Sequence, residues 1–112
     1  MYEKQIKCGK VLGGMSFNQK VWALTARVPA GRVTTYAEIA RKLGTKAYRA
    51  VGNALNKNPY APAVPCHRVV GSNGSLTGFA GGIDSKRQML QKEGVRFVKD
   101  RVDVANAFGF GR

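Results

Sequence analysis

The stretch TYAEIARKLGTKAYRAVGNALNKNP, residues 35–59, decides the fold. Thr35 and Glu38 have capping-box spacing, which starts a helix. Ile39, Ala40 and Leu43 give that helix an apolar face, and Gly44 suits the position just past its end. Thr45 then reads as the cap of a second helix running to about Lys57, where Asn58-Pro59 stops it. Ala47, Ala50, Val51, Ala54 and Leu55 are its apolar positions. Two short helices joined around one glycine make a helix-turn-helix. Such units also occur in proteins that bind no DNA, so the motif speaks to fold before function.

Upstream, Ser16-Phe17-Asn18-Gln19 is another capping box. Val21, Leu24 and Val28 follow at helical spacing with Trp22 beside them, and Pro29-Ala30-Gly31 ends the helix. Residues 1–15, broken by Gly9, Gly13 and Gly14, are expected to be irregular. Downstream, Pro59, Pro62 and Pro65 predict a stiff, extended path. Ser72-Asn73-Gly74 reads as a turn. Residues 78–82 read as a flexible loop of small residues carrying one aromatic, Phe79. Ile83 leads into a last helix, capped near Asp84 or Ser85, which uses Met89 and Leu90 as apolar contacts and ends at Gly94. Residues 95–98 alternate, and the basic tail after them is expected to be loosely held. The expected fold is mainly α: one compact helical domain over 1–112, core about 16–94. It holds a winged-helix-like helix-turn-helix and short extended segments.

The chain has 112 residues, which suits one domain with one modest core. Nineteen Lys and Arg against six Asp and Glu give a net charge of +13. That excess favours a polyanion, most commonly nucleic acid, over a merely well-solvated basic surface. No apolar run would span a bilayer, so no membrane partner is expected. The polar N-terminus does not have a signal-peptide pattern. Cys8 and Cys66 read as reduced thiols. With two Cys and one His, a four-ligand zinc site is not expected.

The chemistry concentrates in Pro65-Cys66-His67-Arg68-Val69-Val70, which sets the only histidine beside a cysteine. A thiol reacts as the thiolate, and a neighbouring imidazole is a common way to form one. A free cysteine is more often an inert buried hydrophobe, and a lone histidine more often structural. In an extended segment the two side chains would point to opposite faces and meet only through a water or a local bend. The slim helix after Thr45 carries one large cation, Arg49, among Ala47, Ala50, Gly52 and Ala54. Small residues let a helix approach a partner closely, or simply pack well.

PCHRVV, with Thr35-Tyr36, Arg49-Ala50-Val51-Gly52, Asn58-Pro59 and Phe79-Ala80-Gly81-Gly82 in this order, resembles the active-site domain of the O6-alkylguanine-DNA alkyltransferases. The resemblance runs from about Phe17 to Gly94. It implies that Cys66 takes the alkyl group from guanine O6 and that His67 deprotonates it through a water. Glu93, on the last helix, orients the histidine, and Asn58 braces the active-site turn. Tyr36 donates to guanine N3, while Val69, Phe79 and the Ala80 backbone N–H line the base pocket. Arg49 fills the gap left by the extruded nucleotide. Thr35, Ala47, Ala50, Gly52 and Asn53 face DNA, with the helix lying in the minor groove of a double-stranded substrate. O6 is stacked inside a duplex, so its reaction requires base flipping, at a cost of a few kcal/mol.

Two departures stand out. The family often has Tyr-Ser where this chain has Phe79-Ala80, so a hydroxyl is lost while the backbone donor stays. The N-terminal domain of many members, with the metal site some carry there, is expected to be absent. The resemblance implies direct-reversal DNA repair by a monomeric suicide methyltransferase that uses no cofactor. It would work in the nucleoid-containing cytoplasm of a prokaryote or the nucleus of a eukaryote. A second reading is an alkyltransferase-like protein, which binds O6-alkylguanine DNA without repairing it. Such proteins typically lack the cysteine, so Cys66 favours the enzyme. A third, a basic DNA binder with a vestigial site, fits poorly with Tyr36, Arg49, Asn58, His67 and Glu93 all being present.

Overall fold

A computed structural model describes residues 2–76, 82–105 and 107–111. Five helices carry the described chain: α1 (Glu3–Lys7), α2 (Phe17–Thr25), α3 (Tyr36–Lys42), α4 (Tyr48–Asn56) and α5 (Ile83–Lys92). A one-turn 3-10 helix spans Cys66–Arg68. Two short strands, β1 (Thr34–Thr35) and β2 (Val69–Val70), pair in parallel, Thr34 opposite Val69 and Thr35 opposite Val70. A hairpin of β3 (Phe97–Val98) and β4 (Arg101–Val102) follows α5. The helix-rich fold matches the expected class.

The capping logic holds for α2 and α3. Ser16 accepts from the Gln19 N–H, and the Gln19 side chain answers by accepting from the Ser16 N–H. Thr35 accepts from the Glu38 N–H. Glu38 does not reach back to complete a box. Its carboxylate is taken by the Arg41 guanidinium and by the backbone N–H of Phe110.

The main core joins α2, α3 and α4 through Val21, Leu24, Ile39, Val51, Ala54 and Leu55. Each Val, Leu and Ile among them contributes about 1.5–3 kcal/mol relative to exposure. Trp22 pins α2 to α4 by donating its indole N–H to the Ala54 carbonyl at 2.7 Å. A second cluster, with Val33, Val70, Leu76, Leu90 and Val102, lies under α5 and the hairpin. The β1–β2 pair ties the two together: it fixes the start of α3 beside the residues that follow Cys66.

Five expectations fail for local reasons. Residues 1–15 are not wholly irregular: α1 forms because Ile6 is fully buried against Met15, Ala23 and Val64. Thr45 does not cap α4. Its hydroxyl accepts from the Ala47 N–H, and the helix starts at Tyr48. The cap of α5 is Gly82, at φ 98°, rather than Asp84 or Ser85. The proline segment is folded rather than extended, with the Val64 N–H bonded to the Tyr60 carbonyl at 3.0 Å. The tail is not loose: Val102 and Phe110 are buried, and Phe108 bonds through its N–H to the Val33 carbonyl at 2.7 Å. Apolar residues spaced through a glycine-rich, basic segment are enough to dock it.

Candidate active site

Cys66 opens the 3-10 turn, partly exposed and packed against the main core. The turn resolves the geometric objection raised by the sequence. Successive side chains in a 3-10 helix diverge by about 120°, not the 180° of a strand, so the Cys66 and His67 side chains do not point to opposite faces. Asn58 braces the approach from both ends of its amide. It donates to the Val64 carbonyl at 2.8 Å and accepts from the Tyr60 N–H at 2.9 Å.

His67 is 3% exposed. Its Nε2 lies 3.0 Å from Glu93 Oε2. A carboxylate only accepts, so this contact assigns the proton to Nε2 and leaves Nδ1 as a lone-pair acceptor. Burial lowers the His67 pKa, opposed by the hydrogen bond and charge of Glu93. The ring is therefore neutral at pH 7, as a base must be.

Glu93 is the cap residue just after α5, one position beyond the helix on which the sequence set it. Arg68 grips it with two parallel hydrogen bonds, Nε to Oε1 at 2.9 Å and Nη2 to Oε2 at 2.6 Å. Arg68 also donates to the Val28 carbonyl at 2.8 Å. The guanidinium holds the Glu93 carboxyl below its ordinary range, with help from the His67 hydrogen bond and against partial burial. The bidentate grip fixes the carboxylate plane and so fixes the imidazole.

Lys86 was not singled out in the sequence. It is 1% exposed, and its Nζ donates to the Val69 carbonyl at 2.6 Å. It sits 5.8 Å from the centre of the Tyr36 ring. Burial pushes its pKa down to about 8, and the neighbouring Cys66 opposes that shift. So Lys86, Tyr36, Val69 and Cys66 share one neighbourhood. One signal was available: Lys86 lies four residues before the fully buried Leu90, hence on the inward face of α5. Arg68, beside His67 in the motif, likewise turns to partners within the fold, against the usual preference of charged residues for solvent.

The remaining sequence candidates divide. Arg49, Ala47 and Asn53 are exposed on or at the start of α4, with Ala50 and Gly52 partly covered. Arg49 has no ion pair among the described residues. The Thr35 hydroxyl is engaged in capping α3. Phe79 and Ala80 lie outside the described residues.

Residues 16–95 match the family described as 6-O-methylguanine DNA methyltransferase, DNA binding domain. The chain belongs to this family. It is 51% identical, over 81 residues, to the methylated-DNA–protein-cysteine methyltransferase of Methanosarcina mazei. That match covers 71% of this chain and 51% of the relative. The chain thus spans about half the length of the curated methyltransferases it matches. Mycobacterium tuberculosis OGT in complex with DNA is similar in structure, with TM-score 0.68 and 41% identity over 80% of this chain and 62% of that one. S. pombe Atl1, in complex with damaged DNA containing O6-carboxymethylguanine, has TM-score 0.64 and 35% identity. That likeness covers 73% of this chain and 79% of Atl1. The methyltransferase family thus has solved members gripping DNA, and the matched region here includes the helix-turn-helix and the cysteine turn together.

Proposed function

We propose that this chain repairs DNA by taking the alkyl group from O6 of guanine onto Cys66, once per molecule. The observation that carries the reading is Cys66 beside a buried His67 in one turn, with His67 held by Glu93. His67 Nδ1 accepts the thiol proton by way of a water. The thiolate attacks the alkyl carbon in line. The S–C bond forms as the C–O bond breaks, and the electron pair leaves with the purine. Tyr36 supports the leaving base by donating to N3, and Lys86 sets a cation beside the sulfur and the base pocket. Val69, Phe79 and Ala80 shape that pocket, and Asn58 keeps the turn rigid.

DNA is the partner that the charge and the relatives favour. Helix α4 enters the minor groove with Ala47, Ala50, Gly52 and Asn53 against the strand and Thr35 nearby. Arg49 replaces the flipped nucleotide in the stack. The thioether product has no route back to thiol, so the protein is consumed as a monomer and uses no cofactor.

The rival reading is binding without repair. Cys66 stands against it. Digesting a duplex after incubation and counting O6-methylguanine nucleosides decides between them. Repair removes one lesion per protein molecule and then stops. A binder leaves every lesion in place, and a conventional enzyme passes one equivalent.

A further inference from the structure

The first residue of α4 is an aromatic that the core does not use. Tyr48 is 49% exposed and stands directly before Arg49. With Ala37, Arg41, Gly44, Thr45 and Lys46 it lines a concavity of about 350 Å³ between α3 and α4. Apolar surface from Ala37, Gly44 and the ring sits there beside two cations. Arg41 is committed to Glu38 and to the Gly111 carbonyl. The Lys46 side chain is exposed, and its ammonium has no hydrogen bond or ion pair among the described residues. The side chain of Ala47 gives α4 no cap, and the concavity lies at the first residue of the helix.

A ring and a free cation around one hollow, on a chain of net charge +13, complement a sugar-phosphate backbone. Adjacent residues on a helix point about 100° apart, so Tyr48 and Arg49 do not enter the same base step. Tyr48 instead faces Ala37 and Arg41. We propose that the Tyr48 ring packs on a deoxyribose of the strand beside the extruded nucleotide while Lys46 takes an adjoining phosphate. The pair clamps the backbone at the helix-turn-helix as Arg49 fills the stack. This rests on the reading of α4 as the DNA-facing helix.

The test is fluorescence anisotropy on a duplex carrying O6-methylguanine, across a salt series, with Tyr48→Ala, Tyr48→Phe and Lys46→Ala. Tyr48→Ala weakens binding about tenfold at every salt concentration, with an unchanged salt slope. Tyr48→Phe, which keeps the ring and the fold, stays within about twofold. Lys46→Ala flattens the slope by about 0.9, the value for one phosphate. A 2-aminopurine beside the lesion responds alike to wild type and Tyr48→Ala. A wild type that does not bind the duplex overturns the functional reading and this clamp together. A wild type that binds, with Tyr48→Ala binding equally well, overturns the clamp alone. Restacking of the 2-aminopurine in Tyr48→Ala makes the ring a wedge between bases and overturns the sugar contact.

Discussion

His67 donates from Nε2 to Glu93 Oε2 across 3.0 Å, and the same carboxylate is clamped by Arg68. The acid thus sets the tautomer of the imidazole instead of sharing its proton. If His67 is the base for Cys66, His67→Ala slows transfer at neutral pH on the order of 10²-fold, the low end for general-base catalysis. Its rate profile also moves to higher pH. Glu93→Gln gives a smaller loss with the same direction. Transfer rates measured across pH by quenched flow check this. An unchanged profile in His67→Ala assigns the histidine to structure.

The same triad predicts acid sensitivity. Glu93 has a lowered folded pKa, so its stabilisation is full above the unfolded value of about 4.5 and is lost as pH falls through the folded one. His67 is also lowered, so the unfolded chain binds its proton first, and stability drops as pH falls below about 6.5. Thermal melting from pH 7.5 downward therefore shows a decline beginning near 6.5 and steepening below 4.5. In His67→Phe, the first limb disappears.

Lys86 gives a signature on the alkaline side. Its folded pKa of about 8 lies below its ordinary 10.5, so the unfolded chain binds more protons between those values. This one group makes stability rise with pH across that window. Lys86→Met removes the rise. Loss of the cation next to Cys66 also slows iodoacetamide labelling of that thiol in the same variant. Identical labelling rates show that Lys86 does not act on the sulfur.

The tail is an integral part of the core. Phe110 is 9% exposed and packs with Ile39 and Ala40, while its N–H reaches Glu38. Phe110→Ala costs about 3 kcal/mol in urea unfolding. A loss under about 0.5 kcal/mol shows a tail that adds nothing to α3.

If Arg49 holds the base out of the stack, one variant separates flipping from chemistry. Arg49→Ala slows reaction with duplex O6-methylguanine far more than with free O6-benzylguanine, which needs no extrusion. Equal slowing of both removes the main support for a groove-facing α4.

Much of this fold was legible because local signals agreed with the tertiary result. The Ser16 and Thr35 caps, the apolar spacing of α2 to α4 and the Gly44 turn depend on neighbours in sequence. The losses came where distant contacts decided. Ile6 makes α1 worthwhile only because Ala23 and Val64 close over it. The Phe110 anchor needs Glu38, 72 residues away. Lys86 illustrates the limit best, since a lysine reads as solvent-facing until the Val69 carbonyl and the Tyr36 ring are seen around it. The parallel pairing of Thr35 with Val70, two residues per strand, was too short to leave a periodic trace. Yet it is what sets Tyr36 beside the cysteine turn.

The proposed reaction ends with the alkyl group on one sulfur. Intact mass spectrometry after incubation with excess O6-methylguanine duplex, followed by peptide mapping, tests it most directly. One added methyl group per molecule, on Cys66 and not on the exposed Cys8, with none gained by Cys66→Ala, is the predicted result. An unmodified protein that nonetheless binds the duplex, or a methyl group on Cys66→Ala, contradicts the account.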